Sequence, residues 1–181
     1  MSGVSIINQL IFVFNLCIFG AISGAGIFSA QFYGQGNHEG VKHSFRFKLV
    51  ISTVITLIGL VVFILFGGRL ASFYMHEGGD TGNIEATMGY SMDYLKIMLI
   101  GLFPFAVEQC YSGTLRETNE TVVPMKAGIV AVCINLILNY ILIYGKLGAP
   151  ELGVEGAAIA TVIARIAECS IIIIWTHTHK E

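Results

Sequence analysis

Long apolar stretches alternate along this chain with short polar breaks. From Met1 to His38 there is no Asp, Glu, Lys or Arg. Leu49 to Gly68 and Ala127 to Gly145 are two further uncharged runs. A membrane-spanning helix needs about 20 mostly apolar residues, and each run supplies them. Two weaker stretches complete the set. One covers about 88–114 and is interrupted by Asp93, Lys96 and Glu108; the other covers about 154–176 and is interrupted by Arg165 and Glu168. The pattern predicts five spanning helices, over about 5–33, 47–70, 88–114, 122–145 and 154–176. That is an all-α, polytopic membrane helix bundle.

The breaks carry their own signals. Gly34-Gln35-Gly36-Asn37 ends the first helix, as clusters of Gly and Asn do. His38 to Lys48 sets basic residues beside Phe45 and Phe47, the pattern of a short amphipathic lead-in at the headgroups. Gly67-Gly68-Arg69 is expected to end the second helix, before a Gly-rich acidic loop over 75–83. Pro104 falls inside the third span, where it commonly kinks a helix without ending it. In the next loop Asn119 suits a left-handed turn, Thr121 a helix N-cap and Pro124 the first turn.

Composition narrows the class. Apolar residues make up 55% and charged residues 12%, about half the charged share of a soluble domain. The net charge of −2 argues against a nucleic-acid partner. Cys17, Cys110, Cys133 and Cys169 all fall in spans and read as packing residues, not as disulfides or metal ligands. There is no nucleophile–base pair, phosphate loop or zinc motif. An enzyme is disfavoured, and no cofactor or metal is expected. The first stretch lacks the basic start and the cleavage site of a signal peptide.

Lys and Arg set the topology. The first loop holds Lys42, Arg46 and Lys48, the third is flanked by Arg116 and Lys126, and the tail ends in Lys180. The second loop holds Glu77, Asp80 and Glu85 and no basic residue; the fourth adds Glu151 and Glu155 to Lys146. The first loop, the third loop and the C-terminus are therefore expected in the cytoplasm and Met1 outside. An odd number of spans with that orientation suggests a piece of something larger.

Polar residues inside the spans are the functional candidates. Asn135 and Asn139 lie mid-helix. Thr161, Arg165 and Glu168, spaced four and three apart, share one face of the returning helix with Gly153 and Ala157. The adjacent strip of Gly156, Ala160 and Ala164 allows close approach of another helix. Arg165 and Glu168 admit two readings: packing with a snorkelling arginine, or a cavity lining. Glu108 is the deepest lone carboxylate. It is either a proton carrier or a side chain reaching Arg116. Asn8 and Asn15, one heptad apart, either bond a neighbouring helix or line a cavity. His177 and His179 are weak metal evidence at a solvated end. Asn119-Glu120-Thr121 matches a glycosylation sequon on the side where it would not be used.

Three stretches resemble the multidrug and toxic compound extrusion (MATE) family. SGAGIFSAQFYGQGN (23–37) is similar to the end of the family's second helix, and LRETNETVVPM (115–125) to its loop between helices four and five. LNYILIYGKLGAPELGVEGAAIATVIAR (138–165) resembles helices five and six with their connection. The resemblance covers residues 1–181 as helices two to six of the N-terminal lobe. Members have two six-helix lobes, so the first helix and the second lobe would be missing partners. The resemblance implies a coupling-cation site for Na⁺ or H⁺, with an Asp on the absent first helix. Asn139 matches the fifth-helix ligand, Thr161 the sixth-helix one, and Ala157 the carbonyl donor. Some archaeal members carry another acid where Ile143 stands. The implied function is cation-coupled efflux of cationic or amphipathic small molecules by alternating access, across the bacterial inner (plasma) membrane. Two readings compete with it: a truncated remnant that inserts in the bilayer and moves nothing, and a lipid-linked oligosaccharide flippase of the same superfamily.

Overall fold

A computed structural model describes residues 2–77, 84–145 and 152–179. Among these residues there are five helices: α1 (Ser2–Gly34), α2 (His38–Glu77), α3 (Ile84–Glu117), α4 (Val122–Tyr144) and α5 (Gly153–Thr178). Four of them are long and apolar enough to cross a membrane by themselves: α1, α2, α4 and α5. The charges of α3 count against it, yet α3 sits at the centre and touches all four others. Its buried stripe of Leu95, Met98, Leu102, Ala106 and Cys110 recurs every three or four residues, the helical period. That position buries Glu108, whereas Asp93 and Lys96 are exposed and pair with each other at 2.9 Å.

The core follows from the same period. On α1, Ile7, Ile11, Phe14, Ile18 and Ile22 form one buried stripe in a core shared with Phe63 of α2 and the α3 stripe, and that core extends beyond α3 to Ala158 and Val162 of α5. Lipid tails are as apolar as these side chains, so close packing and polar contacts must hold the helices together. Gly156 is one such point: a Cβ there would lie 2.9 Å from the Leu142 carbonyl oxygen. The strip expected to pack closely does so, and Gly156, Ala160 and Ala164 are buried. Contacts run from α2 and α1 through α3 to α5 and on to α4, and among the described residues the backbones of α1 and α5 do not approach closely.

The first break stands where the sequence places it. Gly36 turns with φ 69°, and the Asn37 side chain accepts a hydrogen bond from the Gly40 N–H at 3.0 Å. Asn119 takes the left-handed position, φ 65°. Three expectations need correction. The lead-in His38–Lys48 is the first part of α2 and not a separate headgroup helix, because nothing in it breaks a helix and Lys48 finds a buried partner. The α2 helix also runs through Gly67-Gly68-Arg69 to Glu77; Gly67 is buried against Leu95, so it serves packing and not termination. Thr121 stands at the N-cap position of α4 with a helical backbone and makes no capping side-chain bond. The α3 helix continues through Pro104. Most of the acidic loop, 78–83, lies outside the described residues, as do Lys146, Glu151 and Lys180.

Candidate functional site

The α4–α5 hairpin gathers the mid-helix polar groups into one chain of hydrogen bonds. Asn139 Nδ2 donates to Asn135 Oδ1 at 2.9 Å, one turn along α4. Asn135 Nδ2 crosses to Thr161 Oγ1 on α5 at 3.4 Å. Thr161 Oγ1 donates to the Ala157 carbonyl at 2.9 Å, one turn back. The relay ends in an oxygen without a partner: Asn139 Oδ1 is buried and makes no hydrogen bond. The hairpin that positions these groups closes through Gly145 at φ 60° and a Leu152 N–H bond to the Leu142 carbonyl, 3.0 Å.

Asn139, Thr161 and Ala157 thus belong to one cluster. Asn139 and Thr161 do not bond each other directly; Asn135 stands between them. The sequence marks Asn135 as a mid-helix polar residue beside Asn139, and their four-residue spacing makes the two neighbours on a helix. The four residues offer amide, hydroxyl and backbone oxygens, hard donors that suit an alkali cation. No carboxylate is among them, so the cluster supplies dipoles and no charge.

The other candidates separate. Glu108 is 4% exposed and accepts from Gln109 Nε2 at 2.8 Å. It does not reach Arg116 as an ion pair; Arg116 Nη2 instead donates to Ser112 Oγ at 2.8 Å, one turn from each. Arg165 is half-buried and makes no ion pair with Glu168. Its guanidinium lies over the Phe105 ring, 4.9 Å from the centroid, and its Nη1 is buried without a hydrogen-bond partner. The Arg165 side chain lies along α3 beside Gly101. Glu168 is half-buried and near Gly128 of α4. Asn8 Oδ1 accepts from the Tyr94 hydroxyl at 2.9 Å, a bond between α1 and α3. Asn15 is half-buried and its Oδ1 is unpartnered. His177 Nε2 lies 3.4 Å from the Tyr111 hydroxyl, and His179 stacks on Trp175.

One group escaped sequence reasoning. Lys48, read as a loop charge, is fully buried and ion-paired with Glu117 across α2 and α3. Together with the Phe45–Tyr111 ring contact at 4.8 Å and Tyr111–His177, this pair brings the first loop, the 118–121 turn and the C-terminal end of α5 to one end of the bundle. Those are the three segments that the charge pattern assigns to one side.

Comparisons agree on the family. The MatE family model matches residues 1–141. A "Probable multidrug resistance protein NorM" from Thermotoga maritima is 31% identical over 95% of this chain and 36% of its own length. A "Probable multidrug resistance protein YoeA" from Bacillus subtilis is 30% identical over 99% of the chain and 37% of its own. A solved multidrug resistance MATE family transporter of the MOP superfamily, in an inward-facing conformation, superposes with a TM-score of 0.82 at 19% identity. It is matched over 99% of this chain and 38% of that one. The chain therefore spans little more than a third of the length of these proteins, and is a multi-pass membrane protein with their fold. With a family model over most of its length and relatives at 30% identity, the chain belongs to the multidrug and toxic compound extrusion family.

Proposed function

We propose that this chain supplies part of the N-terminal lobe of a cation-coupled multidrug efflux antiporter in the bacterial inner membrane. In this reading Asn139, Thr161 and the Ala157 carbonyl hold the coupling ion, Na⁺ or H⁺, with Asn135 orienting them. The observation that carries it is the relay Asn139–Asn135–Thr161–Ala157, ending in the unpartnered Asn139 Oδ1. A buried carbonyl oxygen without a partner costs free energy, and a bound cation repays that cost. A carboxylate from elsewhere in the transporter would supply the charge. Cation binding drives alternating access only through different affinities for the outward and inward states. Glu108, Glu168, Arg165, Asn8 and Asn15 line or brace the path. The substrates are cationic or amphipathic small molecules, consistent with the multidrug resistance names of the relatives.

The test is a chimera in which this chain replaces the matching segment of the Thermotoga maritima relative. Ethidium accumulation is then measured in an efflux-deficient bacterial host. The reading expects the chimera to lower accumulation. A chimera that reaches the membrane and extrudes nothing would favour the non-transporting remnant instead.

A further inference from the structure

Lys48 is the largest fully buried side chain among the described residues. A lysine inside a membrane bundle is costly unless it is paired and hydrogen-bonded. Lys48 is both. Its Nζ donates to Glu117 Oε2 and, at 3.2 Å, to Thr114 Oγ1. Thr114 spends its own proton on the Cys110 carbonyl at 2.9 Å, which leaves its oxygen free to accept from Lys48. The third helix takes part through an absence: a Cβ at Gly26 of α1 would collide with the Glu117 carboxylate. Three helices thus meet at one ion pair.

Behind the pair runs a polar file. Lys48, Ser52 and Thr56 repeat every four residues on α2 and are each at most 1% exposed. Cys110 Sγ, fully buried on α3, donates to Ser52 Oγ at 3.1 Å, one turn inward from Lys48. The outer end of the pair is different. The Glu117 side chain is 16% exposed and sits in the last residue of α3, beside the Asn119 turn. Glu117 can therefore leave through its own helix end while the core below stays packed. Removing it strands a buried charge, so the pair favours two discrete states, made or broken.

We propose that Lys48 and Glu117 form a polar lock that closes the α1–α2–α3 trio at this end, and that opening it admits water to Ser52 and Cys110. Cys110 reports the event without engineering. The full chain, reconstituted in lipid vesicles, is treated with N-ethylmaleimide, and peptide mass spectrometry follows each cysteine separately. Glu117→Gln and Gly26→Ala are the test variants. Cys110 labelling is expected to quicken about tenfold in both, the change that a shift of ~1.4 kcal/mol in the opening equilibrium produces. Cys169, buried on α5, is expected to keep its rate. The charge swap Lys48→Glu with Glu117→Lys is expected to restore protection. An unchanged Cys110 rate in both single variants would overturn the lock. So would a parallel rise at Cys110 and Cys169, which would mean general loosening. Gly26→Ala keeps both charges, so it still decides the matter if Glu117→Gln fails to insert.

Discussion

Asn135 joins two helix positions into one cluster, because its amide accepts from Asn139 along α4 and donates to Thr161 across to α5. Hydrogen bonds between membrane helices are worth about 0.6 kcal/mol on average. Asn135→Ala is therefore expected to destabilise the hairpin only slightly, yet to impair coupling in the chimera by freeing Asn139. Thermal unfolding followed by circular dichroism, set beside ethidium efflux, checks both halves. Comparable losses of stability and transport would show a merely structural role. At this scale the sequence was legible where a residue type is rare for its place: Asn139, Thr161 and Glu108 stand out in apolar runs. It was opaque where the partner lies far along the chain. Lys48 reads as a topology marker because Glu117 is 69 positions away. Arg165 and Glu168 have the spacing of an ion pair, but Phe105 on another helix takes the guanidinium.

At the scale of helices, small residues decide how near neighbours come. Gly156 lets α5 lie against the α4 backbone, and Leu there would have to displace the Leu142 carbonyl. Overpacking of this kind costs roughly 1–3 kcal/mol. Gly156→Leu is expected to splay the hairpin and speed hydrogen exchange at the Leu152 amide, which bonds that same carbonyl. Unchanged exchange would show that the close approach does not hold the hairpin. The five helices and the break at 34–37 could be read from apolar runs and from Gly and Asn clusters. The true end of α2 could not. A glycine pair looks the same whether it breaks a helix or admits a neighbour, and Leu95, which settles it for Gly67, belongs to another helix.

Across the whole molecule, the buried pair and the ring contacts place residues 35–37, 118–121 and the C-terminal end of α5 at one end. The charge pattern predicts a cytoplasmic position for that end. Cysteines introduced as Asn37→Cys and Asn119→Cys are expected to resist an impermeant reagent added outside intact cells; labelling of either would overturn the orientation. Alternating access needs two walls that move against each other, and this chain matches little more than a third of its relatives. The 181-residue chain expressed alone is therefore expected to leave ethidium accumulation unchanged. Extrusion by it would point to copies of the chain forming the cavity together. The proposed role of the α4–α5 relay is to couple an ion to transport. The most direct measurement is ethidium flux in vesicles carrying the chimera, driven by an imposed Na⁺ or H⁺ gradient, for the parent and for Asn139→Ala and Thr161→Ala. Gradient-driven flux is expected in the parent and its loss, by about tenfold or ~1.4 kcal/mol of coupling, in each variant. Flux that follows the gradient equally well in all three would contradict it.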